Sequence, residues 1–237
     1  MGKLLVVLLL AGVVGCAGPC PAELGTTLAK LLAQYAPVEL FRQGVVLWQL
    51  SGAQPPEPGP ALLAVQGAWD SVQTLSLTLA EGEWPNTLMA VEKTLQVLAE
   101  VEAQLEELAE LGWAGFSSQQ VDSLASLLAA GREAVDGLVL AAGEEAEAAG
   151  AGWEFQVAFL SQTVLLSPGT PYLNLAPQWI DYLRRRVPEW LAASGQEALQ
   201  ELIQLSNRNL SPEEGERARQ AAGRLLELML GRCGGGD

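Results

Sequence analysis

The chain has 237 residues, a length that fits one large domain or two small ones, and 49% of them are hydrophobic against 17% charged. That balance supplies a sizeable core and argues against wholesale disorder. The 28 acidic residues outnumber the 13 basic ones, for a net charge of −15, which sets the chain against nucleic-acid phosphates; the absence of histidine removes Ser-His-Asp triads, Cys-His dyads and ordinary zinc sites.

In chain order, the first element is a short basic start (Lys3 and the amino terminus) followed by the uncharged apolar run Leu4 to Val14. As a helix this run rises about 16 Å, well short of the ~30 Å hydrocarbon core of a bilayer. The pattern fits the h-region of a signal peptide and not a membrane span. It ends in Val13-Val14-Gly15-Cys16, which resembles the lipobox of bacterial lipoproteins: an aliphatic residue, a small or β-branched one, Gly or Ala, then Cys. The resemblance covers residues 1–18 and concerns the leader, not the fold behind it. It implies a diacylglycerol on the Cys16 thiol, cleavage just before Cys16, and a domain held on a membrane face by its acyl chains. Ala17, in place of the Asp that favours inner-membrane retention, implies the outer membrane if the host is Gram-negative. N-myristoylation at Gly2 is disfavoured, because position 6 is Val and not Ser or Thr.

Acylation of Cys16 leaves Cys20 and Cys233, at opposite ends of an exported and therefore oxidising chain. A Cys20–Cys233 disulfide would close a loop long enough to stabilise the fold by roughly 4 to 5 kcal/mol in the loop-entropy model. The alternative is a pair of free thiols. The organisation expected is then a signal peptide over 1–15, a lipidated tether over 16–22, a helical domain over 23–231 and a flexible Gly-rich tail over 232–237.

Helical spacing dominates the rest. Leu24, Leu28, Leu31, Leu32 and Tyr35 form one stripe; Pro37 interrupts it, and Leu40, Phe41, Val45 and Trp48 continue in a second helix. The Pro- and Gly-rich stretch 51–60 is a stiff connection. A helix over 61–80 carries Leu62, Val65, Trp69, Val72 and Leu79, and Gly82 to Pro85 turns the chain. From Asn86 to Leu111, Leu88, Val91, Leu95, Leu98, Val101, Leu105 and Leu108 alternate threes and fours, as in a bundle helix or a coiled-coil seam.

Ser117 and Gln120 offer a capping box for a helix reaching Ala149, although Gly131, Gly137 and Gly143 weaken it. Trp153 to Leu166 reads as a buried helix, with a pair of strands as the alternative given its β-branched and aromatic content. A turn-rich loop over 167–172 precedes a helix from Ala176 to Val187, and Pro188 starts or kinks one from Glu189 to Asn207. The last helix, to Leu230, has the clearest start: Ser211-Pro212-Glu213-Glu214. About eight helices without βαβ alternation predict an all-α, multi-helix bundle in a single domain.

Chemistry is sparse. Glu106, Glu107 and Glu110, and Glu144, Glu145 and Glu147, read as solvated helix faces more readily than as acid–base pairs, and the aspartates are too dispersed for a calcium loop. Arg184, Arg185 and Arg186 are the one dense basic feature, suited to lipid phosphates or an acidic partner. Trp84 and Trp113 flank the long central helix and are candidate interface anchors, or caps of the bundle core. No phosphate loop, G-x-S-x-G elbow or Ser-x-x-Lys pair occurs. The expectation is a non-catalytic envelope lipoprotein without cofactor or metal. Its partners would be the membrane, through its lipid, and a protein, with no nucleic acid. The alternative is a carrier holding a small apolar ligand between helices.

Overall fold

The computed structural model describes residues 20–51, 86–98 and 118–233. Every regular element among them is helical, and the predicted all-α bundle is what they form. In chain order these are α1 (Pro21–Ser51), α2 (87–98), α3 (Ser118–Ala148), α4 (Gly152–Leu166), α5 (Pro177–Arg185), α6 (Ala193–Leu205) and α7 (Pro212–Cys233). The expected helix over 61–80 and the second half of the 86–111 helix lie outside the described residues, as does Ser117 of the proposed capping box.

α4 is the centre of the bundle. Trp153, Phe155, Val157, Ala158, Ser161, Gln162 and Val164 are all buried, so this helix has no solvated face comparable to those of its neighbours. That all-round burial is why its sequence lacks an amphipathic period. It packs against α1 on one side and α7 on the other; α6 packs on α7, and α3 on α1. The closest approach is made by Gly25 of α1, where a β-carbon would stand 2.4 Å from the Phe155 carbonyl oxygen.

The core divides into two clusters that meet at α1 and α4. One gathers Leu24, Leu28, Leu31, Tyr35, Val38 and Val45 of α1 with Val91 and Leu98 of α2, Leu124, Leu128 and Val135 of α3, and Phe155 of α4. The other gathers Trp153, Val157 and Val164 of α4 with Leu183 of α5, Leu199 and Leu202 of α6, and Leu225 and Met229 of α7. One face of α4, Phe155 and Phe159, thus serves the first cluster, and the opposite face, Trp153, Val157, Leu160 and Val164, serves the second.

Several local expectations are corrected. Pro37 does not end a helix: α1 runs unbroken from Pro21 to Ser51 with Pro37 inside it. Pro37 and Ala33, whose carbonyl it leaves without an N–H partner, are both exposed, while buried Tyr35 and Val38 on either side of Pro37 keep both halves on one core. α3 likewise continues through Gly137 and Gly143. The helix expected from Ala176 to Val187 ends at Arg185, and the one expected from Glu189 begins only at Ala193. Pro188 disfavours helical geometry at Val187, and the non-helical segment after it places Trp190 edge-on to Trp153 with ring centroids 6.1 Å apart.

The domain also begins and ends differently. Pro21 and Ala22 belong to α1, with Ala22 only 2% exposed in the second core cluster, so they are part of the domain and not of a tether. At the other end α7 extends past Leu230 to Cys233. Its start is as expected: the Ser211 hydroxyl accepts from the Glu214 N–H at 3.3 Å, and the Ser211 N–H donates to the Glu214 carboxylate at 3.0 Å.

Candidate functional site

The most site-like feature is a cleft along the outer side of α4, between α3 and the segment 167–182. Its far wall is the non-helical stretch from Ser167 to Ala176, in which Leu173 and Leu175 are buried while Tyr172 and Asn174 are exposed. This alternation needs the backbone fixed, and three contacts fix it. The Asn207 amide pairs with both backbone groups of Leu175, Arg219 donates to the Ser167 carbonyl at 3.0 Å, and Thr170 and Pro171 rest on Gly215 of α7. Pro177 at the first position of α5 then turns the chain back over α4.

The main hollow holds 470 Å³ over a floor of Leu28, Phe155 and Phe159, with Val139, Leu140 and Trp179 as walls and Glu144 and Glu147 at the rim. Phe155 and Phe159 stack with centroids 6.3 Å apart. Phe159 and Trp179 are shared with a second hollow of 310 Å³ that reaches Thr163, Tyr172 and Leu175. Trp179 and Glu147 are shared with a third, of 250 Å³, bounded by Gln178 and Tyr182, and Tyr182 leads to a fourth, of 280 Å³, beside Arg185 and Arg186. One aromatic trough therefore runs from the arginines past Trp179 to Tyr172. Leu140 is 68% exposed, Tyr172 65% and Leu166 41%, large apolar side chains left to solvent on or near this trough.

Its polar groups are few and mostly engaged. The Tyr182 hydroxyl donates to Glu147 at 3.1 Å. Burial, and then the Glu147 charge, push the Tyr182 phenol above its ordinary range, so it stays protonated and keeps donating. Tyr182 also meets Trp179 edge-on at 6.2 Å and carries the Arg186 guanidinium 5.8 Å from its ring centre. The larger hollow of 810 Å³ between α1, α2 and the end of α7 is less promising. Its Thr26 and Thr27 hydroxyls are spent on the Ala22 and Glu23 carbonyls, each at 2.8 Å.

A disulfide joins Cys20 to Cys233, with Cα atoms 5.7 Å apart across 213 residues of sequence. It ties the start of α1 to the end of α7. Arg184, Arg185 and Arg186 are exposed at the end of α5, where Arg185 reaches back to the Asp181 carbonyl at 3.2 Å. Cys16, Trp84 and Trp113 lie outside the described residues, as do Glu106, Glu107 and Glu110. The second acidic cluster is not a merely solvated face: Glu145 accepts from the Thr87 N–H at 3.2 Å, holding the start of α2, and Glu147 holds Tyr182. Among the described residues no group of three His, Cys, Asp or Glu is placed to hold a metal, and no helix is long and apolar enough to cross a membrane.

The sequence reading missed Phe159, Trp179 and Tyr182 as one surface. Each sits at helical spacing in its own element, and only the return of α5 across α4 unites them. Comparison with protein-family models, with curated proteins and with solved structures found no match.

Proposed function

We propose that the chain is a bacterial envelope lipoprotein, anchored through Cys16, whose helical domain binds a protein partner in the trough along α4. The observation that supports binding is the continuous aromatic wall of Phe159, Trp179 and Tyr172, with Leu140 standing exposed beside it. Such surfaces are costly to leave in water and are the usual material of interface anchors. The occupant argued by charge is a segment with apolar side chains flanked by Lys or Arg. Glu144 and Glu147 rim the main hollow, and the chain as a whole carries −15. The anchor rests on the lipobox-like Val13-Val14-Gly15-Cys16 and the short apolar run before it.

The carrier reading has one observation in its favour. The main hollow, at 470 Å³ with an apolar floor, is within the size range of small-molecule sites. The trough is open along its length, which suits a polypeptide better than a ligand that must be shielded from water.

Both parts are tested in cells. A photo-crosslinking amino acid at position 140 should yield a discrete protein adduct that the same residue at position 216, on exposed Glu216, does not. Trp179→Ala should remove that adduct. An adduct with the mass of a small molecule or lipid would move the assignment to the carrier, and labelling equal at both positions would remove the trough as a site. Intact mass of the membrane-fraction protein reports acylation at Cys16 directly; an uncleaved, unacylated chain would remove the anchor.

A further inference from the structure

The arginines of this acidic chain are not used alike. Arg42, Arg132, Arg208 and Arg217 are each paired with a carboxylate. Arg184, Arg185, Arg186 and Arg232 are all exposed, and among the described residues no carboxylate lies within ion-pair distance of any of them. Asp181 and Glu189 are the acidic groups nearest in sequence to the α5 arginines. Both are exposed to solvent, and Arg185 takes the Asp181 backbone carbonyl instead of its carboxylate.

These four arginines are brought to one end of the bundle by a chain of direct contacts that starts at the disulfide. Arg232, next to Cys233, lies over the Trp190 ring with its guanidinium carbon 3.9 Å from the centroid. Trp190 packs edge-on against Trp153, and the Trp153 indole N–H donates to the Leu183 carbonyl at 3.4 Å. Leu183 immediately precedes Arg184. Direct contacts therefore join the disulfide, Arg232 and two tryptophans to the end of α5 that carries Arg184, Arg185 and Arg186, on an otherwise negative protein.

Between Cys16 and Cys20 there are four peptide steps, which span at most about 14 Å when fully extended. Cys20 is itself locked to Cys233. Whatever anchors Cys16 at a bilayer holds the disulfide end of the domain within that reach of the headgroups, about the range over which an anionic surface attracts protein charge at moderate salt.

We propose that Arg184, Arg185, Arg186 and Arg232 form a phosphate-contacting patch that seats the disulfide end of the domain on an anionic leaflet, resting on the Cys16 anchor. The acidic remainder of the domain is repelled by the same leaflet, so patch and repulsion together fix one orientation and turn the trough, which leads away from Arg185 and Arg186, outward. Trp190 holds Arg232 in place through its ring face, and the Arg186 guanidinium on Tyr182 joins the patch to the mouth of the trough.

The test uses the full acylated protein, purified from bacterial membranes and reconstituted into vesicles of phosphatidylcholine alone or with one third phosphatidylglycerol. Phenylglyoxal modifies exposed arginines, and peptide mass spectrometry reads the rate at each position. Each arginine held at an anionic surface gains about fivefold in its interaction. Modification of Arg184, Arg185, Arg186 and Arg232 should therefore slow at least fivefold in the phosphatidylglycerol vesicles, and 0.5 M salt should restore it. Arg224, exposed about 12 Å back along α7, and Arg208, beyond the start of α7, are the internal references and should not change. Equal rates at the four arginines in both vesicles, on protein whose mass shows acylated Cys16, would overturn the patch and leave the anchor standing. A mass without acyl chains would overturn both.

Discussion

The side chain of Asn207 occupies the place of a missing strand beside Leu175. Its amide oxygen accepts the Leu175 N–H at 2.9 Å and its amide nitrogen donates to the Leu175 carbonyl at 2.8 Å. The Asn207 backbone N–H donates to Leu173 at 2.7 Å. Asn207 does this from φ +61°, the left-handed region that Asn tolerates better than other residues with a β-carbon. One residue in the α6–α7 turn thus satisfies three backbone groups of the non-helical wall of the trough.

Two variants separate these contributions. Asn207→Ala loses both amide bonds and places an ill-suited residue at positive φ, and should destabilise by about 3 kcal/mol. Asn207→Gly loses the bonds but relieves the backbone, and should cost about 1 to 2 kcal/mol. Urea unfolding measures both. Asn207→Gly as stable as the parent would show that the amide clamp contributes nothing.

Why one part of this architecture can be read from the sequence and another cannot follows from the same residues. Leu24, Leu28, Leu31 and Tyr35 repeat at helical spacing and are buried together, so α1 is legible locally. The Ser211–Glu214 box is legible because both partners lie within one turn. Asn207 and Leu175 are 32 residues apart, and nothing in either neighbourhood names the other. The trough is harder still: Leu140, Phe159 and Trp179 come from three helices. Continuity of α1 through Pro37 depends on that ring facing water, which periodicity does not encode. The disulfide could be inferred because, with Cys16 expected to carry lipid, Cys20 and Cys233 allow one pairing.

The approach of α1 to α4 makes a steric prediction with an internal control. A β-carbon on Gly25 would collide with backbone, the Phe155 carbonyl oxygen at 2.4 Å, so Gly25→Ala must push two central helices apart. The expected loss is about 2 to 3 kcal/mol, the upper range for overpacking. A β-carbon on Gly137, in the middle of α3, would meet nothing within 4 Å among the described residues, and Gly137→Ala should stabilise by about 0.5 to 1 kcal/mol through helix propensity alone. Thermal unfolding of the two variants side by side should move the midpoint in opposite directions. A neutral Gly25→Ala would contradict the close packing.

The Cys20–Cys233 bond joins residues 213 apart, and its contribution through the unfolded chain should be roughly 5 kcal/mol. Cys233→Ser measured beside the oxidised parent in guanidinium should lower the midpoint accordingly. The local expectation is sharper: the Leu24 N–H donates to the Cys20 carbonyl at 2.9 Å beside buried Ala22, so amide exchange at Leu24 should rise in the variant before it rises in α4. Uniform acceleration throughout α1, α4 and α7 would indicate that the bond acts on the unfolded state alone.

Glu39 and Tyr35, both in α1, give opposite pH dependences. Glu39 bonds Arg42 through both oxygens, at 2.8 and 2.7 Å, and this pairing lowers its carboxyl from 4.5 to about 2. A depressed folded pKa means stability present above the unfolded value and lost as the pH falls from about 4.5 toward 2, with solvent screening holding it to about 1 kcal/mol. Tyr35, one turn earlier, is 2% exposed, and among the described residues its hydroxyl has no hydrogen-bond partner. Burial, then the neighbouring Glu39 charge, push its phenol from 10.0 to about 12. Here the folded state resists ionisation, so this contribution is complete below pH 10 and is lost as the pH rises toward 12. Tyr35→Phe should flatten that alkaline loss. At pH 7 it should be neutral or stabilising by up to about 1 kcal/mol, because it removes an unpaired buried hydroxyl and leaves the ring in place. Glu39→Gln should flatten the acid limb and, because it removes the second cause of the Tyr35 shift, shrink the alkaline one without abolishing it. Urea midpoints from pH 2 to 11 for the three proteins would read both limbs, and a Tyr35→Phe variant that loses more than about 1 kcal/mol at pH 7 would mean that the hydroxyl has a partner after all.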